Sequence, residues 1–162
     1  MYDLEKTKYG KNSFVFEAKY DFDEWGQMDI VIDREKDIEY AEKCIAHFES
    51  MPKAMRKELC NALIRYCEKY REFAIQEDFY FEIPEIQQLE EIFEYVSFST
   101  IHVEDVQDTS IIAYSVDGSC DWEVEHGLQI VVRDDEILYV GNYEGVSIWD
   151  EKDNYIDEWN FA

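Results

Sequence analysis

The sequence predicts an α+β domain in which a layer of two to three helices covers one face of a mostly antiparallel β-sheet. Segments of alternating polarity come first, a long stretch of helical periodicity follows, and a run of short alternating segments closes the chain. Strands, then helices, then strands joined by tight turns are typical of an α+β fold. We expect one domain over residues 1–162, with N-terminal strands at 13–33, a helical segment at 37–96 and C-terminal strands at 97–149.

Two strands are predicted before the first helix. In residues 13–20, Phe14 and Phe16 share one face, and in residues 29–33 Ile30 and Ile32 alternate with more polar positions. The polar segment between them predicts a turn. Its acidic residues give it a superficial likeness to an EF-hand loop, but an isoleucine stands where calcium requires a bidentate glutamate, so no calcium site is predicted.

Three helices are predicted in the middle of the chain. Ser50-Met51-Pro52 separates the first from the second, and proline suits the first turn of a helix. A third, shorter helix is expected after Pro84. The apolar stripes that predict these helices are Ile38, Ala41, Ile45 and Phe48 in the first, Met55, Leu59, Leu63, Tyr66, Tyr70 and Phe73 in the second, and Ile86, Leu89, Phe93 and Val96 in the third.

The remainder of the chain reads as short strands. We predict them at residues 97–103, 110–116, 122–125, 128–133, 136–140 and 146–149. Asp117-Gly118 and Asp134-Asp135 are the turn signals, of which the Asp-Gly pair is the stronger. We expect the sheet face away from the helices to be at least partly solvated.

Charge is distributed very unevenly along the chain. The 39 acidic and 15 basic residues give a formal net charge of −24, and after Arg71 the only cations are Arg133 and Lys152. A half-domain this acidic repels itself, and it also repels nucleic acid and anionic lipid. We therefore expect a cationic protein partner, with no direct binding to nucleic acid or to a membrane.

No cofactor or metal site is predicted, and no catalytic residue. The four cysteines are widely spaced without a C-x-x-C pair, which favours reduced, buried thiols in a cytoplasmic protein. His47 and His102 are isolated in sequence. His126 has a carboxylate beside it, but no nucleophile can be assigned to it.

Asp121, Glu123 and Glu125 alternate with Trp122 and Val124. On a strand this spacing predicts a row of three carboxylates on the solvent face, with the two apolar residues turned inward. Such a row suits the lysines and arginines of a partner. The alternative is an ordinary solvated face that limits edge pairing and aggregation.

The end of the chain combines acids with aromatic residues. One interpretation is a binding edge, since tyrosine and tryptophan are enriched at interface hot spots. The other is a closing strand or turn whose aromatic residues pack on the core. As aromatic anchors we favour Tyr143, Trp149 and Tyr155 over Trp122, which alternation turns inward. The predicted partner-binding residues are Asp121, Glu123, Glu125, Asp134, Asp135, Tyr143, Glu144, Trp149, Asp150 and Tyr155.

Residues 121–130, continuing through 132–137 to Val140-Gly141, carry a family resemblance. They are similar to the C-terminal signature of an uncharacterised bacterial domain family, in which a D-x-E-H-G-L stretch precedes a hairpin and a V-G step. Residues 62–66, at the end of the paired helices, resemble the same family. Members often accompany secreted polymorphic toxins, so the resemblance implies an immunity role and supplies no catalytic residues.

These observations predict an immunity protein that neutralises a basic toxin domain, such as a nuclease, through an acidic C-terminal surface. One alternative is a nucleic-acid mimic that inhibits a DNA-binding protein. Another is an enzyme that uses two of Asp121, Glu123 and Glu125, which requires a concave site and a carboxylate with a raised pKa. The oligomeric state stays open.

Overall fold

A computed structural model describes residues 5–9 and 13–162 of the chain. It contains one seven-stranded sheet whose strands follow the order of the sequence, with two α-helices and three short 3₁₀ helices. The strands are β1 (Glu5–Tyr9), β2 (Ser13–Phe22), β3 (Gly26–Ile32), β4 (Val96–Val103), β5 (Ala113–Cys120), β6 (Glu123–Arg133) and β7 (Glu136–Gly141); the α-helices are α1 (Ile38–Glu49) and α2 (Lys53–Gln76). The 3₁₀ helices are Glu35–Asp37, Leu89–Tyr95 and Lys152–Tyr155.

Five of the six neighbouring strand pairs are antiparallel, and only β3 and β4 run parallel. The helices lie in the connection between these two strands. Parallel neighbours need such a crossover, whereas antiparallel neighbours can be joined by a short turn. The predicted α+β fold with a mostly antiparallel sheet is confirmed.

The main core lies between the helices and one face of the sheet. Ile30 and Ile32 of β3 are fully buried, as alternation predicted, and Phe48 of α1 and Leu63 of α2 pack in the same cluster. The predicted stripes of both helices lie in this core except at the end of α2, where Phe73 is 49% exposed.

The third predicted helix is wrong in type and in register. Residues 89–95 form a 3₁₀ helix in which Ile92 is fully buried and Leu89 is 38% exposed. Arg56 of α2 fixes this turn, since its guanidinium lies 4.8 Å from the ring centre of Phe93 and its Nε donates to Glu90. Three residues per turn, rather than 3.6, move the buried position away from the predicted stripe.

Two of the predicted C-terminal strands are a single strand. β6 runs through Gly127, which adopts a positive φ of 75° and allows the strand to continue. The predicted Asp117-Gly118 turn lies inside β5, and the chain turns at Asp121 and Trp122 instead. The predicted turn at Asp134-Asp135 is confirmed.

The strand predicted at 146–149 is absent, because side chains bind its backbone. Gln129 bonds both polar backbone groups of Val146, at 3.0 and 2.9 Å, and Glu104 accepts the N–H of Ile148 at 2.8 Å. These contacts satisfy the groups that a neighbouring strand would otherwise bind.

All four cysteines are free and buried, as the sequence predicted. Burial raises the pKa of Cys44 and of Cys120 to about 12, so both thiols stay protonated at neutral pH. Within the described residues, no helix has the length and apolar character needed to cross a membrane.

Candidate functional site

The C-terminal segment, residues 142–162, packs on both sides of the sheet. Its middle part covers the face away from the helices, whereas Phe161 near its end stacks on Tyr66 of α2, with the ring centres 4.6 Å apart. Tyr155 and Ile148 of this segment pack with Val131, Leu138 and Tyr139 of β6 and β7 in a second core cluster. Val131 faces this cluster while its neighbour Val132 faces the helices, because side chains alternate along a strand. The segment therefore covers one end of the otherwise open face.

Arg133 holds the C-terminal segment in place. Its Nη2 donates to the carbonyl oxygens of Ile148 and Asp150, at 2.6 and 2.9 Å, and to the hydroxyl of Tyr155 at 3.2 Å. The other cation of this half of the chain, Lys152, pairs with Glu136 at 2.5 Å. Both cations that follow Arg71 are thus bound within the molecule.

A surface rich in carboxylates results, which we call the C-terminal acidic surface. Its exposed acids are Asp134, Asp135, Glu136, Glu144, Glu151, Asp153, Asp157 and Glu158, of which Glu136 pairs with Lys152 and Asp135 with His47. Three large apolar side chains lie among them: Tyr143 is 51% exposed, Ile156 81% and Trp159 41%. Lys69 of α2 approaches this surface, with its Nζ 5.7 Å from the ring centre of Trp159.

A cleft of about 480 Å³ opens in the C-terminal acidic surface. Two carboxylates, two side-chain amides and three aromatic rings line it: Tyr139, Asn142, Glu144, Val146, Asn154, Tyr155, Asp157 and Trp159. Carboxylates beside aromatic rings match the chemistry of a lysine or arginine side chain, through charge and cation–π attraction.

The structure separates the predicted aromatic anchors. Tyr143 is exposed, whereas Tyr155 is 4% exposed and donates its hydroxyl to the carbonyl of Ser147 at 2.5 Å. Trp149 is half-buried against the core. Trp122 is 7% exposed and packs edge-on against Tyr66, as alternation indicated. For Trp149 and Tyr155, the interpretation of a closing turn packed on the core is correct.

The predicted acidic residues of this segment have different environments. Glu144 is exposed at the cleft, and Asp150 is half-buried, with Oδ1 accepting from Asn154 at 2.6 Å. Asp134 adopts a left-handed φ of 52°, and its Oδ1 accepts the N–H of Ile112. Asp135 lies 2.9 Å from Nε2 of His47 and keeps most of its side chain exposed. Contact with a partner through these residues stays a prediction.

The predicted row of three carboxylates is wrong. Glu123 is 7% exposed and Val124 is 80% exposed, the reverse of the predicted alternation. The turn immediately before Glu123 sets a new phase for the strand, and the Glu123 carboxylate folds back to accept the N–H groups of Glu125 and His126. Asp121 and Glu125 remain exposed, but they do not form a row with Glu123.

Glu123, Glu125 and His126 approach one another closely enough that their ligand atoms lie within 4.8 Å. Local hydrogen bonds explain this cluster, since Oε1 of Glu123 also lies 3.1 Å from Nδ1 of His126. Glu125 and His126 are both exposed. Exposed groups held by neighbours in the same turn are not evidence of a metal centre, and the cluster carries no further assignment.

Sequence analysis missed a groove of about 670 Å³ on the open part of the sheet, which we call the sheet-face groove. Strand register brings its residues together from four strands: Glu17 pairs with Val31, Val31 with His102, and Thr100 with Asp117. The lining residues are Phe14, Val15, Glu17, Val31, Asp33, Arg34, Thr100, His102, Asp105, Asp117 and Tyr143.

His102 occupies the middle of the charged part of this groove. Its Nε2 lies 2.8 Å from Oδ1 of Asp33. Burial lowers the pKa of His102, but the hydrogen bond with Asp33 and the charges of Asp33, Asp117 and Glu104 outweigh it and raise the pKa above its ordinary value. Burial opposes ionisation of Asp33 too, yet contacts with His102, Asp105 and Arg34 hold its pKa below the usual range.

Asp117 behaves differently from Asp33. Burial raises the pKa of its carboxyl to about 6, although the charge of His102 and a hydrogen bond with Ser115 act in the opposite direction. Its Oδ1 is withdrawn from solvent and accepts no hydrogen bond from the described residues. Only its place as an acid within a buried strand could have singled out this residue in the sequence.

Asp117→Asn is expected to stabilise the protein at neutral pH. The folded protein retains a proton on Asp117 up to about pH 6, whereas an unfolded aspartate releases it near pH 3.9. The free energy of unfolding therefore falls as pH rises through this window. By removing this ionisation, the variant should raise the free energy of unfolding by about 1–2 kcal/mol at pH 7.5 and by much less at pH 4.5. Urea denaturation at both pH values measures the difference, and an equal effect at both contradicts it.

Comparison with known proteins gives one match. The family model of DUF6985, a domain of unknown function, matches residues 5–148, which is most of the chain. No curated protein matches, and no solved structure matches. The matched region includes all seven strands and both α-helices, and it ends inside the C-terminal segment.

Proposed function

The chain belongs to the DUF6985 family of domains of unknown function, and we propose that it is a non-enzymatic inhibitor that binds a basic protein through the C-terminal acidic surface. The partner we propose is a basic toxin domain, and the role is immunity to that toxin. A nuclease is the favoured kind of toxin, because an enzyme that acts on nucleic acid needs a cationic cleft, and an acidic surface can occupy such a cleft.

One observation carries the proposal: the two cations of the acidic half are paired within the molecule, while many of its carboxylates are exposed. Arg133 binds backbone carbonyls and Lys152 binds Glu136. Surfaces kept acidic only for solubility usually intersperse both signs. A field of one sign instead steers an oppositely charged partner and speeds its association.

Tight binding needs direct contacts in addition to long-range electrostatic attraction, and the same surface offers such contacts. Ile156 and Trp159 are large exposed apolar side chains beside the carboxylates, as is Tyr143. The cleft between Glu144 and Asp157 can receive a lysine or arginine from the partner. Buried aromatic and arginine anchors dominate the energy of most interfaces, while rim charges mainly set the association rate.

A matched pair of triple variants tests the proposal. Glu144→Gln, Asp153→Asn and Glu158→Gln remove three exposed charges from the C-terminal acidic surface. Glu35→Gln, Glu39→Gln and Glu42→Gln remove three exposed charges near and on α1. The partner is first captured from the native cells with tagged wild-type protein, and the kinetics of both triples are then measured at low and high salt.

We expect the first triple to slow association by about tenfold at low salt and to flatten its salt dependence, while the second changes little. Equal effects of the two triples show that net charge, not this surface, attracts the partner. One small basic protein retained at high salt supports immunity. Many nucleic-acid-binding proteins, all released by salt and displaced by DNA, favour the mimic instead.

The carboxylate-enzyme alternative has less support at Glu123, one of its three named residues. Glu123 is buried, and its two carboxylate oxygens accept backbone N–H groups. The groove that does combine concavity with a carboxyl of raised pKa is elsewhere, at Asp117.

A further inference from the structure

The sheet-face groove lies on the open sheet face beside the C-terminal segment, which contributes Tyr143 to its lining. Its volume of about 670 Å³ is within the range of small-molecule sites, which run from about 300 to 1,000 Å³. Four adjacent strands supply the floor. A site on strands holds its side chains more rigidly than a site on loops.

The groove combines apolar and charged side chains. Val15 and Val31 lie on β2 and β3, with Glu17 opposite Val31, and Thr100, His102 and Asp117 follow across β4 and β5. Such a combination suits a ligand with an apolar body and one charged end, because apolar walls favour burial of the body and a few polar groups fix its orientation.

The charges in the groove indicate the sign of that end. Among the described lining residues, the two basic side chains already have carboxylate partners: Arg34 Nε lies 2.9 Å from Asp37 and 2.5 Å from Asp105, and His102 pairs with Asp33 at 2.8 Å. Within this described lining, an anionic ligand would therefore find no unpaired cation to receive it.

Asp117 is the group best placed to receive a cation. The strand register places Thr100 of β4 between Asp117 and Asp29 of β3. His102 lies two residues further along β4, where it pairs with Asp33. Its Oδ1 accepts no hydrogen bond within the described structure although it is withdrawn from solvent. An unsatisfied buried acceptor destabilises the protein, and an N–H donor from a ligand would relieve this.

From this geometry we infer that the sheet-face groove binds a small organic ammonium ion, with the ammonium group at the Asp117 carboxylate and the apolar body directed across β4 toward Val31. This site borders the C-terminal acidic surface, with which it shares Tyr143, but the inference does not depend on the proposed function. Deprotonation of Asp117 favours the ligand, so binding should strengthen as the pH rises through about 6. The other charged or titratable groups that the described structure places around the site are Glu17, Lys19, Asp29, Asp33, Arg34, His102, Glu104, Asp105 and Tyr143.

Benzylamine is a suitable probe, with benzyl alcohol and benzoate as its neutral and anionic counterparts. Amide chemical shifts of the wild-type protein are followed by NMR during titration at pH 8. We expect saturable shifts at Thr100 and His102, benzylamine at least about tenfold tighter than benzyl alcohol, and no binding of benzoate. The absence of saturable shifts in the groove, or equal binding of amine and alcohol, overturns the inference.

Two variants separate the site from general attraction to an acidic protein. Asp117→Asn should weaken benzylamine about tenfold, and because this variant is expected to be more stable than the wild type at pH 8, unfolding cannot explain the loss. Asp153→Asn removes the same charge from the exposed C-terminal surface and should leave the affinity unchanged. Equal losses in the two variants assign the binding to net charge and reject the groove.

Discussion

Gly118→Ala is expected to lower the free energy of unfolding by about 3 kcal/mol or more, because a methyl group at this position has no space. A Cβ on Gly118 would lie 2.1 Å from the carbonyl oxygen of Ser97 and 3.1 Å from the Cα of Phe98. Both atoms belong to the backbone of β4, so no side chain can rotate away. Urea denaturation of the variant and the wild type measures the loss.

Gly26→Ala provides the control. Gly26 has a positive φ of 73°, and a Cβ there would meet nothing within 4 Å. The left-handed conformation alone should reduce the free energy of unfolding by about 1 kcal/mol. If Gly118→Ala is no more destabilising than Gly26→Ala, β4 and β5 can separate easily at this position and the close approach is not a constraint.

The same glycine shows why one of the turns was mispredicted. Asp117-Gly118 has the composition of a hairpin turn, and the sequence offers no sign that the glycine instead permits two backbones to approach. Pairing irregularities on both sides of β5 occur here, between Phe98 and Thr100 and between Gly118 and Cys120. Such irregularities depend on neighbouring strands, so local composition cannot reveal them.

The periodicity of apolar residues predicted the helices and strands that bury one face over several turns or several residue pairs. α1 and α2 and the strands flanking them were recovered, because their apolar spacing records which side faces the core. The 3₁₀ helix before β4 was not recovered. A single buried residue, Ile92, cannot distinguish a period of three residues per turn from one of 3.6. The predicted strand at 146–149 failed for another reason: its hydrogen-bond partners are the side chains of Gln129 and Glu104, which lie far away in sequence.

The candidate sites divide in the same way. Composition revealed the acidic half, because charge counts need no three-dimensional information. It could not show that Tyr155 is buried, nor that Asp33 after β3, His102 of β4 and Asp117 of β5 meet in one groove. These placements follow from strand register and from the path of the C-terminal segment, both of which are set by long-range packing.

Arg133→Met is expected to lower the free energy of unfolding by about 3 kcal/mol and to loosen the C-terminal segment. One guanidinium nitrogen donates to the carbonyls of Ile148 and Asp150 and to the hydroxyl of Tyr155. Hydrogen bonds from charged groups contribute about 1.5–3 kcal/mol each, and methionine leaves these acceptors without the donor. Denaturation gives the stability change, and hydrogen exchange should show faster opening of residues 146–156 than in the wild type.

Lys152→Met removes the same charge from the same half of the chain, but from an exposed pair with Glu136. Exposed salt bridges contribute at most about 1 kcal/mol to the free energy of unfolding, so this variant should be nearly as stable as the wild type. The two variants should therefore distinguish the effect of surface charge on partner binding from the effect of an ordered C-terminal segment. Lys152→Met makes the surface more acidic and should speed association. Arg133→Met makes the surface equally acidic but loosens the segment that carries Glu144 and Asp157, so it should weaken the complex. Equal stability of the two variants means that the second core cluster alone holds the segment.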